Sequence, residues 1–283
     1  MRSALLCLML AAASAAAQTL PDATLLQPEA DPFDEFGRAV AASGGTAAVG
    51  EWEADQFEQF DSRGAVSLFE RQPDGSWLLR QRLFASDSQE GPFNEEPFFG
   101  SALAIEGDRL AVGAFGEQDD ADALRAPGAV YVYERQGGVW SEVAKIRDPA
   151  PVAFGRFGEA VALSGTTLLV TASGVRPDGG GGTYDGGTVY VFVRDASGAW
   201  TPEAALQRPG SEGRAFFGDA LAVNGGRALI GGGGFSNGRA YIYERSGAAW
   251  TEVAELESPD PTVAGNNKQF GEAVALDGDV ALV

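Results

Sequence analysis

The chain has 283 residues, with 40 Asp+Glu against 20 Lys+Arg, no histidine and one cysteine. Without histidine there is no Ser-His-Asp triad, no Cys-His dyad, no imidazole base and no His-ligated zinc. A formal charge of −20 also excludes nucleic acid as a partner, because the phosphate backbone is bound by clustered Lys and Arg.

The N-terminus reads as a targeting segment. Met1-Arg2-Ser3 is a short positive start, residues 4–13 are an apolar run, and Ala15-Ala16-Ala17 supplies small residues before Gln18. This is the layout of a secretory signal peptide over residues 1–17, and the run is shorter than the ~20 residues of a membrane span. The sole cysteine, Cys7, leaves with that segment. The mature chain then has no thiolate chemistry, no disulfide and no membrane span, and is expected to be secreted or held at the cell surface.

From Phe36 onward the chain repeats itself. Phe-Gly recurs at Phe36-Gly37, Phe99-Gly100, Phe157-Gly158, Phe217-Gly218 and Phe270-Gly271, at intervals of 63, 58, 60 and 53 residues. Behind each comes a small apolar stretch, such as Ala102-Leu103-Ala104-Ile105, then a tight Gly-containing turn and a second apolar stretch, such as Leu110-Ala111-Val112. Two short apolar runs joined by such a turn predict a β-hairpin. A longer variable segment follows, then a third stretch rich in β-branched and aromatic residues, such as Gly128-Ala129-Val130-Tyr131-Val132-Tyr133-Glu134-Arg135, which predicts a strand. The fourth stretch starts at Trp77, Trp140, Trp200 or Trp250. Its alternation predicts a partly solvated outer strand with apolar residues inward and charged residues outward.

Four short strands per period of about 60 residues predict an all-β fold, a β-propeller of four-stranded antiparallel blades. Blade 1 is expected over about 36–84, blade 2 over 99–148, blade 3 over 157–208 and blade 4 over 217–258, with a truncated blade 5 from 270. About four and a half blades are present, so an incomplete ring, as in a fragment or a product cut short, is expected. Residues 23–28 resemble residues 204–209, and read as an outer strand of a further blade.

Phe-Gly, a strand, a turn and then Leu110-Ala111-Val112-Gly113-Ala114-Phe115 resemble the FG-GAP repeat of integrin α-subunit propellers, and more closely its bacterial secreted subgroup. The resemblance covers nearly all of residues 33–283. It implies a propeller that binds ligands on the face carrying the loops between strands two and three and between blades. Integrin-type repeats carry an Asp-x-Asp-x-Asp-Gly calcium loop between the first two strands. Here those turns read Ser43-Gly44-Gly45, Glu106-Gly107-Asp108, Ser164-Gly165-Thr166, Asn224-Gly225-Gly226 and Asp277-Gly278-Asp279. They are too short and mostly too poor in carboxylates for a coordination shell, so the calcium sites do not carry over and no cofactor is expected, with calcium at the acidic loops, Asp119, Asp120 and Asp122 first, as the alternative.

By strand parity the short turns share one face and the long segments (53–63, 85–98, 116–127, 148–156, 174–186, 209–216 and 259–269) share the other. Acidic residues crowd the second face in the first two repeats: Glu53, Asp55, Glu58, Asp61, Asp87, Glu90, Glu95, Glu96, Glu117, Asp119, Asp120 and Asp122. Variable loops on a rigid scaffold are where binding residues concentrate, so Asp55, Glu58, Asp61, Asp119, Asp120 and Asp122 are the candidate ligand-binding residues. A solvated acidic surface is the plainer reading of the same residues. Phe57, Phe60 and Phe93 read as loop plugs among these acids. The glycine runs at 179–182 and 231–234 lack a following Gly-Lys-Ser/Thr and are not phosphate loops. No residue set points to catalysis. The expectation is a non-catalytic adhesion or binding module for an extracellular protein or glycan. The alternative is the accessory propeller of a secreted carbohydrate-active hydrolase or lyase.

Overall fold

A computed structural model describes residues 25, 35–52, 63–87, 96–118, 125–174, 176–177, 183–184, 186–207, 217–232, 238–259 and 269–283. Four antiparallel four-stranded sheets follow one another along the chain. The first contains β1 (Val40–Ser43), β2 (Thr46–Glu51), β3 (Ala65–Arg71) and β4 (Trp77–Leu83). The second contains β5 (Phe99–Glu106), β6 (Arg109–Ala114), β7 (Ala129–Gln136) and β8 (Val139–Arg147). The third is built from β9 (Phe157–Ser164), β10 (Thr167–Ala172), β13 (Thr188–Arg194) and β14 (Trp200–Leu206), with a short ribbon of β11 (Arg176–Pro177) and β12 (Thr183–Tyr184) between its second and third strands. The fourth is β15 (Phe217–Asn224), β16 (Arg227–Gly232), β17 (Arg239–Ser246) and β18 (Ala249–Leu256), and a hairpin of β19 (Ala275–Asp277) and β20 (Val280–Leu282) follows. First strands of successive sheets pack side by side, so the blades form an arc around a common axis, not closed into a ring. The fold is therefore the expected all-β incomplete propeller.

The cores lie between the blades. Val66, Leu68 and Leu83 of blade 1 pack with Phe99, Leu110, Tyr131 and Tyr133 of blade 2. Val130, Val132 and Ile146 of blade 2 meet Phe157, Leu168, Tyr190 and Phe192 of blade 3, and Leu169, Val191 and Leu206 of blade 3 meet Phe217, Ile230, Tyr241 and Tyr243 of blade 4. Each joint sets aliphatic side chains of one blade against aromatic ones of the next, which fill the gap as it widens from the axis.

The recurring Phe-Gly acquires a geometric cause. It occupies the centre of a type II turn, which needs positive φ at its third residue and hence Gly. Gly37, Gly100, Gly158 and Gly271 have φ of 91°, 93°, 96° and 94°, and the turn closes through Arg38 N to Glu35 O, Ser101 N to Phe98 O, Glu159 N to Arg156 O and Glu272 N to Gln269 O at 3.0–3.3 Å. The turn pushes its carbonyls into the preceding blade. A Cβ at Gly50, Gly113 or Gly231 would strike the carbonyl of Gly100, Gly158 or Gly271, so those strand positions stay glycine. Blade 3 has Thr171 there instead, and its hydroxyl donates to Gly218 O at 2.6 Å.

The turns between first and second strands leave two residues, with positive φ at the first only: Gly44, Gly107, Gly165, Gly225 and Gly278, at 54–58°. This is the type II′ pattern, with no room for a calcium loop, and the residues do not fit that ion. The outer strands depart from the expected alternation. A bulge in each four-stranded blade, between Val132 and Tyr133 in blade 2 for example, adds a residue to the fourth strand and shifts its phase. Val143 and Val253 thus face outward, at 49% and 52% exposure, while Lys145 turns inward.

Candidate functional site

The short-turn face is occupied by contacts that the blades make with one another. Arg135 of blade 2 reaches Glu70 of blade 1 at 3.3 Å, and Arg194 of blade 3 reaches Glu134 of blade 2 at 3.0 Å. Blade 3 has Val193 where that glutamate would recur, and Arg245 of blade 4 turns instead to Glu203 on β14. The Glu-Arg ends of the third strands are therefore rungs of a ladder.

The long-loop face is different. Its candidate residues Asp55, Glu58, Asp61, Asp119, Asp120 and Asp122 lie outside the described residues, as do Phe57, Phe60 and Phe93. Three acids grouped with them in sequence are described. Glu96 is half-buried. Glu117 is 3% exposed, contrary to a solvated position, and accepts a hydrogen bond from Lys145 Nζ at 2.9 Å. Lys145 Nζ also donates to Asp87 Oδ1 at 3.0 Å, and the Tyr131 hydroxyl donates to the same oxygen at 3.0 Å. Burial pushes the Glu117 carboxyl up and Lys145 only partly offsets this. For Asp87 burial acts upward too, but Lys145, Tyr131 and Arg147 outweigh it and hold the group below its usual value. Burial, and then the two carboxylates, push the Tyr131 phenol up, so it stays a donor. A 28-residue separation between Glu117 and Lys145 hides this cluster from sequence reading. It ties two long loops to blade 2.

Nearer the axis, on the same face, is an aromatic cluster that sequence reading missed. Trp52 follows β2 and Phe115 follows β6, at equivalent places, and Phe98 directly precedes the Phe-Gly of blade 2. Phe98 stacks on Phe115 with centroids 4.8 Å apart and a 23° interplanar angle, and Trp52 lies 5.0 Å from Phe98. Guanidinium groups cap the rings: Arg38 over Trp52 at 4.0 Å, Arg156 over Phe115 at 4.6 Å and Arg125 over Phe154 at 5.0 Å. Glu96, Phe98, Phe115, Gly116, Ala126, Phe154 and Arg156 line an open cleft of about 360 Å³. Phe154 is 49% exposed at its rim. The signal in sequence was faint, since these positions flank the repeat motif and are kept in only some repeats: Phe98 recurs at Phe216 but is replaced by Glu35, Arg156 and Gln269 elsewhere.

Further round the axis the character reverses. The residues after Phe-Gly in blades 3, 4 and 5 are Glu159, Asp219 and Glu272. Asp219 is exposed as a residue, but the protein packed around its carboxyl desolvates that group in part, and this, then Glu159 and Glu272 on either side, pushes it up to about 7. Arg156 pairs with Glu159 at 2.6 Å, where the two halves of the face meet. Among the described residues no group of three or more acidic side chains is placed to hold a metal ion. No described helix is long and apolar enough to cross a membrane.

An arc of four-stranded blades with an open cleft on its loop face is the architecture of a propeller-type binding module. The FG-GAP repeat family matches residues 21–69, 77–133 and 140–192, more than half of the chain. The chain belongs to that family, whose propellers are typically non-catalytic binding or adhesion domains. Each complete match starts on a fourth strand, at Trp77 or Trp140, and ends on a third strand of the next blade, at Tyr133 or Phe192. No curated protein matches the chain.

Proposed function

We propose that the protein is a secreted or cell-surface binding module, non-catalytic and cofactor-free, that engages an extracellular protein or glycan through its long-loop face. The observation that carries this reading is the division of labour between faces. Charges on the short-turn face are consumed by the ladder between blades, whereas the loop face holds an aromatic cleft that joins no blade-to-blade core. Asp119, Asp120 and Asp122 lie within four residues after Gln118 in the loop that starts beside the cleft, and with Asp55, Glu58 and Asp61 they are proposed to extend the binding surface. Residues 1–17 are proposed to direct export.

The test is face-resolved binding. Full-length protein, exported from a bacterial host, is screened by biolayer interferometry against purified extracellular proteins and glycans. The paired variants Phe98→Ser on the loop face and Arg109→Ala on the short-turn face are screened beside it. Loss of binding with the first and retention with the second is expected, and the reverse pattern would sink the reading. Retention of the protein in the cytoplasm would sink its localisation.

A further inference from the structure

Among the described residues six non-glycine residues have positive φ, and four of them, Phe98, Ala126, Phe154 and Arg156, line the same cleft (φ of 55°, 43°, 56° and 53°). Phe98 and Arg156 belong to the repeat, since the residue before Phe-Gly has positive φ in blades 1 and 5 as well, at Glu35 and Gln269. Phe154 differs in this: Glu96, at the equivalent place before the Phe-Gly of blade 2, is among the described residues and has no positive φ. Left-handed backbone at a non-glycine residue costs about 1–3 kcal/mol and persists where surrounding structure enforces it. Here a backbone strut enforces it: Phe154 N donates to Arg125 O at 2.6 Å, Arg156 N to Ala126 O at 3.3 Å and Phe157 N to Pro127 O at 2.9 Å. The outcome is a strained phenylalanine that is also half in water. Neither property helps the fold, and together they mark a side chain held in place for contact with something else.

We infer that the cleft binds a neutral pyranose unit of a glycan, with Phe98 on its floor and the exposed Phe154 ring at its rim as the stacking surfaces. This rests on the binding-module reading above and narrows it to one ligand class. A pyranose presents an apolar C–H face edged by hydroxyls, each both donor and acceptor. The cleft offers the complement, aromatic rings on its floor and rim beside a donor, Arg156, and an acceptor, Glu96. Charge selects against the alternatives. A basic peptide meets the guanidinium groups of Arg38, Arg125 and Arg156 around the rings. An acidic ligand, or a second copy of this chain, meets a net charge of −20. A neutral sugar meets neither barrier. A volume of about 360 Å³ is at the small end for ligand sites and suits a short stretch of glycan rather than a folded partner.

The experiment is saturation-transfer NMR on the full-length protein with neutral hexasaccharides of β-1,4-glucan, α-1,4-glucan, β-1,4-xylan and β-1,4-mannan at millimolar concentration. At least one is expected to receive saturation, concentrated on its ring C–H protons. Phe154→Ala should weaken that binding about tenfold, whereas Leu78→Ala, at an exposed leucine on the outer strand of blade 1, should leave it unchanged. Phe154→Gly should lose binding equally without lowering the melting temperature, because glycine accepts the left-handed backbone. Absence of transfer to all four sugars, or transfer indifferent to Phe154→Ala, overturns the inference. If a different ligand binds in a Phe98-dependent way while these sugars do not, the glycan inference falls and the module reading stands. If binding follows the short-turn face, both fall.

Discussion

The two faces of the arc use charge in opposite ways. On the short-turn face Arg135, Arg194 and Arg245 step from blade to blade along partly exposed partners, Glu70, Glu134 and Glu203, and Arg135 also holds the exposed Asp108 of its own blade. On the loop face Lys145 is sunk between Glu117 and Asp87, with Glu117 almost wholly out of water. Exposed pairs are worth little and are screened by salt. A buried pair adds little net stability when intact but leaves an uncompensated charge when one partner is removed. The ladder therefore sets register between blades cheaply, while the buried cluster makes the loop face sensitive to substitution and to pH.

The comparison can be broken most sharply at a close backbone contact on the loop side. Gly128 has φ of 86° and pairs with Phe157 of the next blade, and a Cβ there would run into that residue's backbone. Gly128→Ala is expected to cost about 3 kcal/mol or more, read as loss of cooperative thermal unfolding or a large drop in its midpoint. Lys145→Met should cost about 3 kcal/mol at pH 7, and its pH dependence identifies the cause. Glu117 already has a folded pKa above its ordinary 4.5, and removal of the cation raises it further. The folded state then binds the extra proton first, so stability is lost as pH rises through the folded value and returns as pH falls toward 4.5. Chemical denaturation from pH 8 to pH 5 should show the variant recovering toward wild type, and a gap independent of pH would rule this account out.

Asp219 gives a smaller effect of the same sign. With its folded pKa raised to about 7 by partial desolvation of the carboxyl and by Glu159 and Glu272, wild-type stability should climb as pH drops from 8 to 5, and Asp219→Asn should flatten that slope. The smallest change belongs to the other face. Arg135→Ala, which removes contacts to Glu70, Asp108 and Thr46, is expected to cost about 1 kcal/mol or less. Its deficit should shrink in 1 M salt, where Lys145→Met keeps most of its own.

The sequence announces the fold because every blade meets the same geometric demand. A turn that needs glycine must recur, and so must the space that receives its carbonyls, which is why Phe157-Gly158 and Gly113 are legible at a glance. The cleft obeys no such demand. Trp52, Phe115 and Ser173 occupy one equivalent place, and before the Phe-Gly pairs Phe98 recurs at Phe216 but gives way to Glu35, Arg156 and Gln269 in the other repeats, so the pattern is broken from blade to blade. Glu117 was misplaced for a related reason. It sits among acids in the chain, but what decides its environment is Lys145 on a strand that folds back later. The bulges in the outer strands are equally silent in sequence, and they turned Val143 outward and Lys145 inward.

The stagger between the repeat and the blade has a consequence of its own. A unit that runs from the fourth strand of one sheet to the third strand of the next, as 77–133 does, encloses Leu83, Phe99, Leu110, Tyr131 and Tyr133, most of the first inter-blade core. Copying such a unit duplicates a finished joint together with the hinge of chain that crosses it, rather than a sheet in search of a neighbour. Growth by one unit then inserts a ready-made seam, and the two old surfaces on either side meet strands of the kind they were already fitted to.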